Sequence, residues 1–361
     1  MKSTDGLIYL CRCAVNDQAP EKDIIASLDM DELFRLASRH MLAAAVGLTL
    51  QSAGVENPDF NRAVMTAYCK ATQQEHEQKT VFERLNAAGI WFAPLKGTVI
   101  RDFYPQFGMR EMADIDVLFD AAEAEKVRDM MISLGYTVKA FGDSVHDSYV
   151  KEPAVKFEMH RDLIDISYDR TLYEYYREVE SKLLPGEGYE RHFGPEDFYL
   201  YMLVHEYKHY SMGGTGLRSL LDTFVVLRRF EGLDWDYIAR ESEKLGIAEF
   251  EKKNRTLARE LFEPGGQTVS DPDMLDYILG SGAYGTLQNH VKNGIAKHGG
   301  GRRGKMKYAF HRIFLPMEDI KKSFPTFYKY KILIPLLPVY RLVRGRKRES
   351  LKVEIGLLRE K

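Results

Sequence analysis

Cysteine is scarce: three in 361 residues, Cys11, Cys13 and Cys69, an odd count without framework spacing. That excludes a small disulfide-stapled scaffold and points to a reducing cytoplasm. Long apolar runs are missing as well. None approaches the roughly 18 residues a membrane helix needs, and the stretch Ile332 to Val339 is interrupted by Pro335 and Pro338. No transmembrane segment is expected. The opening residues, MKSTDGLIYLCRCAV, have neither a basic n-region nor a continuous apolar h-region, so no signal peptide is read and a cytoplasmic location is expected. What the chain does have is 45% hydrophobic and 12% aromatic residues, enough for real cores, and a length that exceeds one typical domain.

The most informative stretch is PLKGTVIRDFYPQFGMREMADIDVLFD, Pro94 to Asp120. Asp114 and Asp116 bracket Ile115 and precede Val117, Leu118 and Phe119, so two charges stand in an apolar run that reads as a strand. Alternation puts both carboxylates on one face, roughly 6 to 7 Å apart at their Cα atoms. Like charges beside apolar surface raise each other's pKa, and a hard cation such as Mg2+ removes that cost. Upstream, a short strand from Trp91 to Pro94 leads through Leu95, Lys96, Gly97 and Thr98 into a helical pattern at Val99, Ile100, Phe103 and Tyr104. A strand, a glycine turn and a helix start form an anion site. Lys96 would add a point charge for phosphate, and Thr98 is the expected N-cap.

A two-metal phosphoryl or nucleotidyl transfer site calls for a third acid. After a helix over Ala121 to Leu134, a strand over Tyr136 to Phe141 and a hairpin, the segment Ala154 to His160 puts Lys156, Glu158 and His160 on one face and Val155, Phe157 and Met159 on the other. Glu158 is the candidate third ligand.

These residues resemble the uncharacterised bacterial nucleotidyltransferases of the DNA polymerase beta-like superfamily. LKG, an arginine shortly before DID, and a strand bearing Glu-x-His carry the resemblance, best from about Trp91 to Ile166. It implies that Asp114 and Asp116 bind metal, that Gly97 and Thr98 hold the glycine-serine position, and that Glu158 is the third acid. His205 and the GLRSLLD run ending at Asp222 also look like this family's helical half. Three features depart from the superfamily pattern: Thr98 in place of Gly or Ser, a longer interval from Gly97 to Asp114, and Glu where Asp is commoner.

The implied fold class is α+β, a small mixed sheet flanked by N-terminal and C-terminal helical regions. Residues 1–89 are expected as helices, with Met30 to Gly54 and Phe60 to Gly89 amphipathic and Asp59 as a cap. His40 and Cys69 are expected in packing or surface turns. The nucleotidyltransferase-like core would be 90–193, a second helical region 194–300, and a basic appendage 301–361. In the second helical region the stripes run over Glu196 to Tyr210, Gly216 to Arg229, Trp235 to Leu245 and Ala248 to Phe262.

One motif competes. His205, Glu206 and His209 spell HExxH, the spacing of a zinc hydrolase with Glu as general base. Positions 212 and 215, where a longer zinc motif would continue with Gly and His, hold Met212 and Thr215. A structural or substrate-contacting role for His205 is the other reading, with Asp222 orienting its imidazole.

Charge is uneven. Between Gly301 and Arg348 stand fourteen Lys or Arg and two acids, Glu318 and Asp319, in a chain whose total is −2. Aromatics interleave with the bases, so this segment could meet nucleic acid, an anionic membrane surface or the acidic body of its own fold.

The expectation is an enzyme that moves NMP from an NTP to an acceptor and releases pyrophosphate, with Mg2+ or Mn2+ as cofactor. Asp114, Asp116 and Glu158 would hold metal. Lys96, Gly97, Thr98 and Arg110 would meet the phosphates, unless Arg110 pairs with Glu111 or Asp102. His160, His205 and Asp222 are substrate-contacting or structural. A small molecule, peptide, protein or RNA would serve as the acceptor, and a catalytically lapsed nucleotide-binding or regulatory module is the alternative.

Overall fold

The computed structural model describes residues 2–358 apart from 154, 267, 316, 318, 319, 322, 323, 346–352 and 355. Glu318, Asp319 and residues 346–348 of the basic segment therefore lie outside the described residues. The architecture is α+β, and the chain divides into two compact units, residues 1–207 with 217–279 and residues 208–216 with 280–361.

The first unit begins with helices α1 (Ser3–Val15), α2 (Lys22–Ala26), α3 (Met30–Arg39), α4 (Ala43–Ser52) and α5 (Pro58–Ala88). The Met30 to Gly54 pattern is split in two at Met41, whose φ of 55° ends α3. On α5 the cap is Asn57, which accepts from the N–H groups of Asp59 and Phe60, and Asp59 falls in the first turn instead. Pro58 suits the first helical position because its missing N–H would be unpaired there anyway, and left-handed Gly89 closes the helix.

Next come β1 (Phe92–Pro94), α6 (Gly97–Ile100), β2 (Ile115–Phe119), α7 (Ala124–Ser133), β3 (Thr137–Ala140), β4 (His146–Lys151) and β5 (Val155–His160). They build a mixed five-stranded sheet of order β1-β2-β5-β4-β3 in which only β2 and β5 run parallel. One face is the core: Val117, Phe119, Phe157 and Met159 pack with Val81 and Leu85 of α5 and Val127 and Met131 of α7. Burying those apolar side chains stabilises the sheet by roughly 1.5 to 3 kcal/mol each. The opposite face is polar.

The first unit continues with α8 (Arg170–Tyr176), the two-stranded β6 (Leu183–Pro185) and β7 (Arg191–Phe193), then α9 (Pro195–Met212), α10 (Leu217–Arg229), α11 (Trp235–Lys244), α12 (Ala248–Phe262) and α13 (Pro272–Ser281). Residues 208–212 of α9 and 280–281 of α13 belong to the second unit.

The second unit contains α14 (Leu287–Lys297), α15 (Gly301–Ile313), α16 (Pro325–Lys329) and α17 (Leu337–Gly345). Its core joins Val291 and Ile295 to Tyr308 and Leu357. Tyr308 and Arg312 both donate to Glu354. Among the described residues no helix is long and apolar enough to cross a membrane.

Candidate active site

Alternation along β2, β4 and β5 builds the polar face. Ile115, Val117, Tyr149, Phe157 and Met159 go to the core, which leaves Asp116, His146, Ser148, Lys156, Glu158 and His160 on the other side. Register then brings the side chains together: Asp116 stands opposite Glu158, Ser148 opposite Glu158, and His146 opposite His160. Asp114 lies one residue before β2.

Asp116 is the hub. Its Oδ1 accepts from Lys96 Nζ at 3.0 Å and lies 2.7 Å from His160 Nε2. Burial alone would raise this carboxyl, but Lys96, His160 and His205 outweigh it and hold it well below the usual carboxylate range. Burial likewise opposes the charge on Lys96, and Asp116 overcomes it, so the ammonium is stabilised. His160 is only 4% exposed, and burial with the nearby Lys96 pushes its imidazole down toward the neutral form.

Lys156 bridges the other two acids. Its Nζ donates to Asp114 Oδ2 at 3.3 Å and to Glu158 Oε1. Burial raises Asp114, and the repulsion of Asp116 and Glu158 raises it further. For Glu158 burial is outweighed by the Lys156 hydrogen bond together with the charges of His146 and Lys156, and its carboxyl is lowered. Three carboxylates share one patch, and the Lys96 and Lys156 ammonium groups offset their charge. Hard oxygen donors are the chemistry a divalent cation takes, and among the described residues the ligand atoms that converge are those of His146, Glu158 and His160 rather than those of the three acids.

The glycine turn differs from expectation in two ways. The helix it opens is α6, four residues long and followed by one 3-10 turn, and its N-cap is Lys96, at φ 48°, not Thr98. Thr98 lies inside the first turn: its N–H donates to Leu95 O at 3.1 Å and its hydroxyl to Asp116 O at 3.4 Å. A left-handed lysine costs on the order of 1 to 3 kcal/mol, and such strain collects at functional sites.

Arg110 pairs with neither Glu111 nor Asp102. Its Nε and Nη2 donate to the two carboxylate oxygens of Asp222 at 2.8 and 2.7 Å, and Tyr104 Oη adds a third bond at 2.8 Å. Asp102 pairs with Arg101 instead. The clamp ties the loop before β2 to α10. It also explains Gly97: a Cβ there would come within 2.3 Å of Arg110 Nη1. Asp222, expected beside His205, is committed to this clamp, while His205 acts electrostatically on Asp116.

Glu206 does not suit the zinc-hydrolase reading. It is buried and meets Thr223 Oγ1 at 3.3 Å and Asn254 Nδ2 at 3.4 Å, and burial with nearby Asp222 raises its carboxyl well above the usual range. A general base needs an ionised, accessible carboxylate.

Two site residues escaped the sequence reading. Tyr201, one turn before His205 on α9, has a buried hydroxyl that finds no hydrogen-bond partner among the described residues, and it lies within the electrostatic reach of Lys96 and Asp116. His146 sits in an alternating segment, His146, Ser148, Val150, but only the β4 to β5 register reveals its neighbour. Their signals were one helical turn of spacing and strand alternation.

A family model described as an uncharacterised nucleotidyltransferase matches residues 26–263, taking in helices on both sides of the sheet and the whole polar face. No match is found among curated proteins or solved structures.

Proposed function

Because the chain belongs to this uncharacterised nucleotidyltransferase family, we propose that it is a metal-dependent enzyme transferring NMP from an NTP to an acceptor. The observation that carries this reading is the pairing of Asp116 with Glu158 on adjacent parallel strands, with Asp114 just ahead and the Lys96–Gly97 turn behind. Mg2+ or Mn2+ is the proposed cofactor. Asp114, Asp116 and Glu158 would hold the cation, which would supply charge that offsets the attacking and leaving oxygens.

The chain's own residues do the rest. Lys96, poised between Asp116 and the turn, faces the triphosphate as a point charge, and the Gly97–Thr98 backbone lies alongside it. Arg110 fixes the loop that carries Asp114 through its grip on Asp222. The acceptor oxygen attacks the α-phosphorus, the bond from that phosphorus to the bridging oxygen breaks, and pyrophosphate leaves. His160 orients Asp116 through its Nε2 contact. Tyr201 and His205 on α9 stand within electrostatic reach of Asp116, and the acceptor would be a small molecule, peptide, protein or RNA.

The test is Mg2+-dependent pyrophosphate release from each NTP over a panel of acceptors, for the native chain and for Asp114→Asn and Asp116→Asn. Loss in both variants with an unchanged circular dichroism spectrum is expected, and retained release would overturn the assignment. NTP that binds without any release would favour the lapsed regulatory module.

For the basic segment we propose an anionic membrane surface as partner. Met306, Phe310 and Ile313 are exposed at spacings of four and three on α15, Phe314 is exposed just past its end, and Ile332, Leu336 and Val339 are exposed further on. Cations at Arg302, Arg303, Lys307, Lys329 and Lys331 accompany them. Aliphatic side chains gain from insertion among lipids and gain little from stacking on bases.

A further inference from the structure

The polar face carries more than carboxylates. His146 Nε2 lies 3.6 Å from Glu158 Oε1, and His160 Nε2 lies 4.0 Å from Glu158 Oε2. The two imidazoles are cross-strand neighbours with ring centroids 5.1 Å apart. Each of the three residues offers a ligand atom, and these atoms all fall within 4.8 Å of one another. Three donors converging at that separation can close on a single ion with small rotamer changes.

Donor chemistry selects the ion. Mg2+ takes oxygen ligands and keeps its waters, so two imidazoles are poor partners for it. Nitrogen and carboxylate donors suit borderline transition metals, of which Zn2+ is the commonest with this ligand set. His160 is buried, and among the described residues its Nδ1 has no hydrogen-bond partner, while its Nε2, the atom that faces Glu158, stands 2.7 Å from Asp116 Oδ1. To ligate through Nε2 the ring would release Asp116, and the unpaired Nδ1 is the position left to carry its proton. His146 is 30% exposed at its side chain, which gives an ion a way in, and Lys156, 37% exposed, has room to swing off Glu158.

We propose that His146, Glu158 and His160 form a binding site for a borderline divalent transition metal of the Zn2+ class. The third acid of the candidate active site is then shared with two histidines, and the metal position at Glu158 differs in kind from one made by Asp114 and Asp116 alone. The inference rests on the proposed function for the use of this ion, not for its binding.

The test uses the full-length, untagged chain stripped with a chelator, then titrated with Zn2+ by calorimetry and with Co2+ by visible absorption, with Mg2+ as the comparison. One equivalent of Zn2+ binding at least about a hundredfold tighter than Mg2+ is expected. His146→Ala and His146→Gln should each weaken it about tenfold or more and alter the Co2+ spectrum, while His192→Ala, on an exposed strand residue outside the face, should not. Equal affinity for Zn2+ and Mg2+, or binding unchanged in both His146 variants, would overturn the proposal. The arms separate it from the transferase reading: Zn2+ binding that persists in a chain without NTP turnover sinks only the latter, and turnover without a histidine-dependent Zn2+ site sinks only the former.

Discussion

Lys96 Nζ rests 3.0 Å from Asp116 Oδ1, the same oxygen that His160 Nε2 reaches at 2.7 Å. Both partners of this ion pair are largely buried, with side chains 15% and 10% exposed. Removing one member of a buried pair leaves an uncompensated charge and costs roughly 3 to 5 kcal/mol. Lys96→Met should therefore lower stability by about that amount in urea denaturation. Adding Asp116→Asn should restore a good part of it, because the stranded charge is gone. Additive losses in the double variant would mean the pair is not coupled.

The Arg110 clamp makes a second prediction. Arg110→Lys cannot reproduce a bidentate grip on Asp222 and should cost about 2 to 4 kcal/mol. Gly97→Ala should cost about as much, since its Cβ would collide with the guanidinium. In an Arg110→Ala background the added cost of Gly97→Ala should fall below about 1 kcal/mol. Thermal melts of the four chains decide it.

The sheet, the face assignment of Lys156, Glu158 and His160, and most helix spans were legible because alternation and helical spacing are local properties. Ala248 to Phe262 is recovered to the residue. What was not legible depends on contacts far apart in sequence. Arg110 meets Asp222 across 112 positions and His40 meets Leu217 across 177, and no local pattern encodes either partner. The N-cap at Lys96 was hidden for another reason: a lysine at φ 48° violates the backbone preference on which cap reading relies.

His40 predicts an acid-sensitive fold. It is fully buried, its Nδ1 accepts from the Leu217 N–H at 3.0 Å, and burial, with help from Arg39, pushes its imidazole down from 6.5 to about 4. The unfolded chain takes up a proton below pH 6.5 that the folded chain refuses until about pH 4. Its contribution is thus complete above pH 6.5 and is lost as pH falls toward 4, by up to about 3 kcal/mol. His40→Asn keeps an acceptor for Leu217 and does not titrate. Its denaturation free energy should fall less than that of the native chain between pH 7 and pH 4, and parallel curves would remove His40 from the account.

The exposed apolar side chains of the basic segment give the last prediction. Phe310 is 59% exposed and Ile332 87%, and both lie among lysines and arginines. Inserting each into a bilayer interface would contribute roughly 1.5 to 3 kcal/mol, and each nearby cation about 1 kcal/mol more on an anionic surface. Flotation with vesicles rich in phosphatidylglycerol should retain the chain, whereas phosphatidylcholine vesicles should not. High salt should weaken retention without abolishing it, because the apolar share is not screened. Phe310→Glu with Ile332→Glu should reduce partitioning by about tenfold or more. If vesicles of both kinds fail to retain the chain while single-stranded RNA binds with a steep salt dependence, the stripe serves nucleic acid and the membrane reading falls.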